Sequence, residues 1–167
     1  MRRATAWLVA TAGLGMIPSA ARATPRPGLV LNPMHREAVE RARAGAALRL
    51  ESPECRRIFA EFADDAGVPL QAGLDRLGVT APRYLSMIVF ADGAGRTTCH
   101  RTDVLAVTAP GSRVVFVCGR VFRESQARSP QGAEFVLIHE ALHTLGLGEN
   151  PPDSLEITRR VRERCGS

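Results

Sequence analysis

Apolar residues recur at helical spacing in the first half of the chain. The segment Met34–Leu50 has one apolar stripe, which predicts an amphipathic helix. A second helix is predicted to begin near Pro53 and to stop before Gly67, and a shorter one covers Leu70–Leu77. The stripe of the first helix consists of Val39, Ala42, Ala46 and Leu50, and that of the second consists of Ile58, Phe59 and Phe62. These helices have the composition of a scaffold, and no chemistry is assigned to them.

Short runs rich in β-branched residues then follow, separated by glycine-containing turns. The predicted strands are Ser86–Ala91, Thr97–Arg101, Val104–Thr108 and Val114–Cys118. Their connections are short, which predicts antiparallel pairing in a small sheet. The polar segment 119–131 that comes next predicts a loop.

Two further helices are predicted near the C-terminus. Ser129 and Pro130 suit the N-cap and first position of a helix that continues into a strongly apolar run. Asp153 and Glu156 fit a capping box at the start of the last helix, and Glu156 also precedes Arg160 by four residues. The predicted fold class is therefore α+β: N-terminal helices, a small antiparallel sheet, a long apolar helix and a C-terminal helix.

The N-terminus has the pattern of a secretory signal peptide. Arg2 and Arg3 precede an apolar run, 4–17, and small residues end at Ala23, where cleavage is predicted. The run is too short for an ordinary membrane span. We expect a secreted or periplasmic protein without a stable membrane anchor, with residues 24–167 forming one domain.

Charge gives little indication of a partner. The chain has 22 basic and 17 acidic residues, and Arg2, Arg3 and Arg22 belong to the predicted signal peptide. The arginines of segment 159–164 alternate with glutamate, which is typical of a solvated helix face. We therefore expect no nucleic-acid partner, and we expect a monomer.

All four cysteines follow the predicted cleavage site, which indicates two disulfides in an oxidising compartment. Three pairings are possible. The predicted elements favour Cys99 with Cys118 and Cys55 with Cys165. A zinc-binding cysteine set is the alternative, although the chain has no C-x-x-C spacing to support it.

The sequence HEALHTLGLGE, residues 139–149, contains the pattern of a zinc site. On a helix, His139 and His143 stand one turn apart on the same face, so both imidazoles can bind one ion. Glu140 lies beside them. Zinc lowers the pKa of a bound water to about 7, and a neighbouring carboxylate can act as the general base, so the pattern predicts hydrolysis.

The residues around this motif favour the interpretation that it binds a cation over the interpretation that the motif occurs in the helix by chance. Apart from His139, Glu140, His143, Thr144 and Gly146, the segment 135–147 is apolar, which predicts burial. No lysine or arginine lies between Pro130 and Pro152 to pair with Glu140. A buried carboxylate without a cationic partner costs several kcal/mol, and a metal ion would remove that cost.

A catalytic zinc usually has three protein ligands, and Glu149 is the favoured third. Gly146 can end the helix and turn the chain back toward the metal. With this spacing the motif resembles the zincin metallopeptidases, and in particular the metzincin pattern H-E-x-x-H-x-x-G-x-x-H with Glu149 in place of the last histidine. The chain departs from metzincins because no methionine follows Met87 to form a methionine turn.

Glu156 is the alternative third ligand, since some zincins take a glutamate from a later helix. The predicted capping role already explains why a glutamate occurs at position 156. Asp153, His100 and His35 are more remote candidates.

The resemblance implies a zincin-like domain that acts as a zinc-dependent metalloendopeptidase on a peptide or protein substrate, with Glu140 as general base. Two alternatives stay open. One is a non-catalytic, zinc-binding exported interaction domain, and the other is a zinc-dependent amidase that acts on the cell wall.

Overall fold

The computed structural model describes residues 30–149 and 151–167, so the predicted signal peptide lies outside the described residues. The fold is α+β, as predicted. The helices are α1 (Pro33–Leu50), α2 (Pro53–Arg56), α3 (Ile58–Glu61), α4 (Leu70–Leu77), α5 (Ala81–Leu85), α6 (Gly119–Arg128), α7 (Pro130–Thr144) and α8 (Ser154–Cys165). The strands are β1 (Val89–Asp92), β2 (Ala106–Val107) and β3 (Val114–Val117), and a 3-10 helix covers Thr97–His100.

The central helix is α7, which packs against α1, α6 and α8. It begins as predicted: the Ser129 hydroxyl accepts a hydrogen bond from the Gly132 amide, and Pro130 occupies the first turn. The predicted stripe of α1 is buried as well. Because α7 is covered on several sides, its polar side chains need partners inside the protein.

The sheet has the order β1-β3-β2 and is mixed, so the prediction of an antiparallel sheet is correct only for β2 with β3. The pair β1 and β3 is parallel, with Val89 opposite Val114. Parallel strands need a long crossover, and the segment 93–113 supplies one. Within the described residues β2 pairs with β3 alone, so β2 has a free edge.

Three other predictions were wrong in detail. Of residues 97–101, predicted as a strand, Thr97–His100 form the 3-10 helix, since Cys99 is anchored by a disulfide and its neighbours are exposed. Segment 119–131, predicted as a loop, contains α6, whose buried Val121 and Phe122 pack inward beneath a polar surface. The predicted second helix divides into α2 and α3 at Arg57.

Both favoured disulfides are present. Cys55–Cys165 joins α2 to the end of α8, and Cys99–Cys118 joins the 3-10 helix to the start of α6. Across residues 30–149 and 151–167, no helix combines the length and apolarity needed to cross a membrane.

Candidate metal centre

The two histidines of α7 point at a common position. The Nε2 atoms of His139 and His143 lie 2.9 Å apart, and both residues are buried. The other side of each ring is fixed: His139 Nδ1 lies 3.1 Å from the Thr158 hydroxyl, and His143 Nδ1 lies 2.7 Å from the Leu147 carbonyl oxygen. This arrangement leaves Nε2 of each ring as the atom that faces the cleft.

These contacts favour the tautomer that binds metal. The Leu147 carbonyl can only accept, so Nδ1 of His143 carries a proton, and Nε2 is the ring atom left to coordinate a metal. The Thr158 hydroxyl can either accept from or donate to His139 Nδ1, so this contact allows the same tautomer at His139. Burial lowers the pKa of His139 to about 3, with a further contribution from His143, so the ring is neutral at physiological pH. Neutral imidazoles are the form that coordinates zinc.

Glu149 reaches the same position from the loop after α7. Its Oε1 lies 3.3 Å from His143 Nε2 and 3.7 Å from His139 Nε2. Two ligand atoms at ordinary zinc distances and a tetrahedral angle are separated by about 3.4 Å. The spacing of the carboxylate from both rings therefore suits a zinc ion between them.

Glycines give the loop this path. Gly146 has φ of 112°, a conformation that favours glycine, and it turns the chain as predicted. A Cβ on Gly148 would lie 2.8 Å from Oδ1 of Asp65, so a larger residue at this position would displace that exposed side chain. Both positions direct Glu149 back toward the histidines.

The other candidate ligands lie elsewhere. Glu156 pairs with Arg159 and Arg160, whose hydrogen bonds lower its pKa to about 2. Asp153 caps α8 by accepting from the Glu156 amide, as predicted. His100 lies in the exposed 3-10 helix, and His35 lies against Gly119 at the start of α6. Among the described His, Cys, Asp and Glu residues, the group that could hold a metal is His139, His143 and Glu149.

Glu140 is a buried carboxyl group with one oxygen that lacks a partner. It is 6% exposed, and its Oε2 has no hydrogen-bond partner among the described residues. Burial and, to a smaller extent, the charge of Glu149 raise its pKa to about 8, although a hydrogen bond with the backbone of Thr108 acts in the opposite direction. A divalent cation beside it would favour the ionised form. The orphaned oxygen therefore fits a metal site.

The three candidate ligands open onto a cleft of about 560 Å³. One wall is the free edge of β2 with the segment before it, including Arg101 and Asp103, which form an ion pair. The other wall is the first turns of α8, including Leu155, which is 80% exposed. The cleft has room for an extended chain between these walls.

Several supporting residues were missed at the level of sequence. Thr158 contacts His139 across 19 positions of sequence, and no local pattern indicates that contact. The buried Tyr84 donates to the Thr144 hydroxyl at 3.0 Å, and Thr144 donates to the Ala141 carbonyl, which fixes the end of α7. A threonine beside the HExxH motif offers a weak indication of such a contact.

Comparison with protein-family models, with curated proteins and with solved structures found no significant match to this chain.

Proposed function

We propose that this protein is an exported, zinc-dependent metalloendopeptidase of the zincin type. His139, His143 and Glu149 would hold one zinc ion, and Glu140 would be the general base. The observation that carries the proposal is the convergence of two imidazoles and one carboxylate beside a buried glutamate that has one unpartnered oxygen. Of the two candidates for third ligand, Glu149 is favoured because Glu156 is already neutralised by two arginines.

The chemistry needs a Lewis acid and a base in one cleft. Zinc, when bound, supplies the Lewis acidity that activates water and polarises a carbonyl group. Glu140 accepts the proton of the attacking water at its carboxylate and delivers it to the leaving amine nitrogen. Thr158 and the Leu147 carbonyl hold the two rings in the required tautomers.

The free edge of β2 supports a peptide as the substrate. An extended chain can add to such an edge through main-chain hydrogen bonds. Thr108 follows β2 directly and approaches Glu140, so a chain paired with β2 would pass beside the general base. Binding through the main chain accounts for a preference for peptides over other hydrolysable compounds.

Export is supported by two features. The described part of the chain contains two disulfides and no free cysteine, which is typical of an oxidising compartment. The N-terminal sequence has the pattern of a cleavable signal peptide, with cleavage after Ala23.

The proposal is tested by incubating the zinc-loaded protein with a diverse peptide library and, separately, with peptidoglycan. We expect internal cleavage of peptides, loss of cleavage with a chelator and recovery with added zinc. Cleavage of peptidoglycan alone would identify a cell-wall amidase instead. Zinc binding without cleavage of either substrate would indicate a non-catalytic domain.

A further inference from the structure

A second cavity, of about 440 Å³, lies next to the metal cleft on the outer face of the sheet. The two cavities share Thr98, Val107 and Thr108 in their linings. Val107 of β2 lies opposite Phe116 of β3, and directly opposed residues in an antiparallel pair share a face. The second cavity is therefore reached from the cleft by crossing the free edge of β2.

The base of this cavity carries a guanidinium group stacked on an aromatic ring. The Arg96 side chain lies over Phe116, with its Cζ 3.7 Å from the ring centroid. Within the described residues, no carboxylate lies within ion-pair distance of Arg96, and its guanidinium makes no hydrogen bond. Stacking leaves the guanidinium edge and its N–H donors free to bind a ligand.

The lining of the cavity complements an anion. Besides Arg96 it contains three threonine residues, one serine and apolar groups, and it contains no acidic residue. Asp103, on the wall of the neighbouring cleft, is already paired with Arg101. The only formal charge in the lining is therefore positive.

The backbone around Arg96 is fixed on both sides. The Arg96 amide donates to the Gly93 carbonyl, and the Arg96 carbonyl accepts from the Cys99 amide. Cys99 is bonded to Cys118. The fixed backbone and the stacking on Phe116 together limit the freedom of the Arg96 side chain, which reduces the entropy lost on binding.

We infer that Arg96 and Phe116 form a subsite for a carboxylate group of the substrate. This inference rests on the proposed function, because the substrate is a peptide that pairs with β2. Side chains of such a peptide alternate between the two faces of the sheet, so those on the outer face enter the second cavity. The carboxylate can belong to a Glu or Asp side chain or to the C-terminus of the peptide.

The test measures binding separately from cleavage. The full chain carrying Glu140→Gln is titrated with decapeptide pools in which one position at a time is fixed as Glu or as Gln. Each pool is made with an amidated and with a free C-terminus. We expect at least one position, or the free C-terminus, to strengthen binding by about threefold to tenfold at low salt, and this gain to shrink at high salt.

Two further variants assign the effect to Arg96. Adding Arg96→Gln should remove the preference for the carboxylate, whereas Arg128→Gln, which removes an exposed positive charge from α6, should retain it. The subsite is contradicted if no pool binds with a preference for Glu or for the free C-terminus, or if the preference persists after Arg96→Gln.

Cleavage of the same pools by the protein with Glu140 intact separates the two proposals. If pools with and without the carboxylate are cleaved equally well, the subsite proposal is contradicted and the peptidase proposal stands. A carboxylate preference in binding without any cleavage supports the subsite and counts against the peptidase.

Discussion

Each half of α7 contains a glutamate that is at least partly buried, and the two glutamates differ in whether their carboxylates are paired. In the first half, Glu134 lies 2.5 Å from Arg49, which also donates to the Cys165 carbonyl and so connects α1, α7 and α8. In the second half, Glu140 is more deeply buried and has an oxygen without a partner. One helix thus carries a satisfied carboxylate and an orphaned one, six positions apart.

This difference in pairing indicates that one glutamate has a structural role and the other a functional one. A buried charge that is fully paired connects elements of the scaffold. A buried carboxyl group left without a partner lowers stability, and such groups occur where a ligand or a reaction requires them. On this comparison we assign Glu134 to the scaffold and propose Glu140 as a residue of the functional site.

The largest expected effect is the loss of peptide hydrolysis when the carboxylate of Glu140 is replaced by an amide. Glu140→Gln should reduce peptide hydrolysis by about 1000-fold because it removes the general base. Zinc content, measured by elemental analysis, should stay unchanged, since Glu140 is not among the proposed ligands.

Glu134→Gln is the matched control on the same helix. It should retain hydrolysis at a temperature where the protein is folded, and it should lower the free energy of unfolding by about 2 kcal/mol because Arg49 loses its partner. Undiminished turnover by Glu140→Gln would contradict the role assigned to Glu140.

The orphaned carboxyl also predicts how the stability of the chelated protein depends on pH. The pKa of Glu140 is about 8 in the folded protein and has an ordinary value of 4.5. Between these values the folded state retains a proton that the unfolded state releases, so stability falls as pH rises through this range. Above pH 8, Glu140→Gln should be more stable than the parent protein by up to about 4 kcal/mol in chemical denaturation.

Added zinc should reverse this order above pH 8, because a cation stabilises the ionised carboxylate in the parent protein. Equal pH profiles for the chelated parent and Glu140→Gln would show that Glu140 has a partner in solution.

Replacing the two candidate third ligands should have different effects on zinc affinity, and these effects should be smaller than the loss of hydrolysis in Glu140→Gln. Glu149→Gln should weaken zinc binding by about 100-fold in a competition assay with a chromogenic chelator, since it removes a ligand charge. Glu156→Gln should change zinc affinity by less than about threefold, because its carboxylate already pairs with two arginines. The reverse order would make Glu156 the ligand.

The smallest effect is expected at the residue that positions His139. Thr158→Val keeps the shape of the side chain but removes the hydroxyl that contacts Nδ1, and it should weaken zinc binding by about tenfold. Thr158→Ser restores the hydroxyl and should recover most of the affinity. Equal affinities for the Val and Ser variants would exclude a role for this contact.

Local chemistry made much of the fold predictable from the sequence. The cap at Ser129, the cap at Asp153 and the turn at Gly146 each depend on a few neighbouring residues, and all three are present, although the Glu156 side chain pairs with Arg159 and Arg160 and does not complete the predicted capping box. The convergence of His139 with His143 follows from helical spacing alone.

Features that depend on contacts between distant segments were not predictable in the same way. The parallel pairing of β1 with β3 results from a long crossover, whereas the sequence shows only short runs and turns. The polar composition of α6 did not indicate that two of its residues, Val121 and Phe122, are buried. The contact between Thr158 and His139 joins two helices, so neither helix indicates it by itself.

The most direct test of the account is the zinc content of the protein purified without chelators, measured together with its His143→Ala variant. Two imidazoles and a carboxylate around one position predict about one equivalent of zinc in the parent protein and almost none in the variant. Less than about a tenth of an equivalent in the parent protein, with no thermal stabilisation on adding zinc, would contradict the metal centre and the peptidase proposed from it.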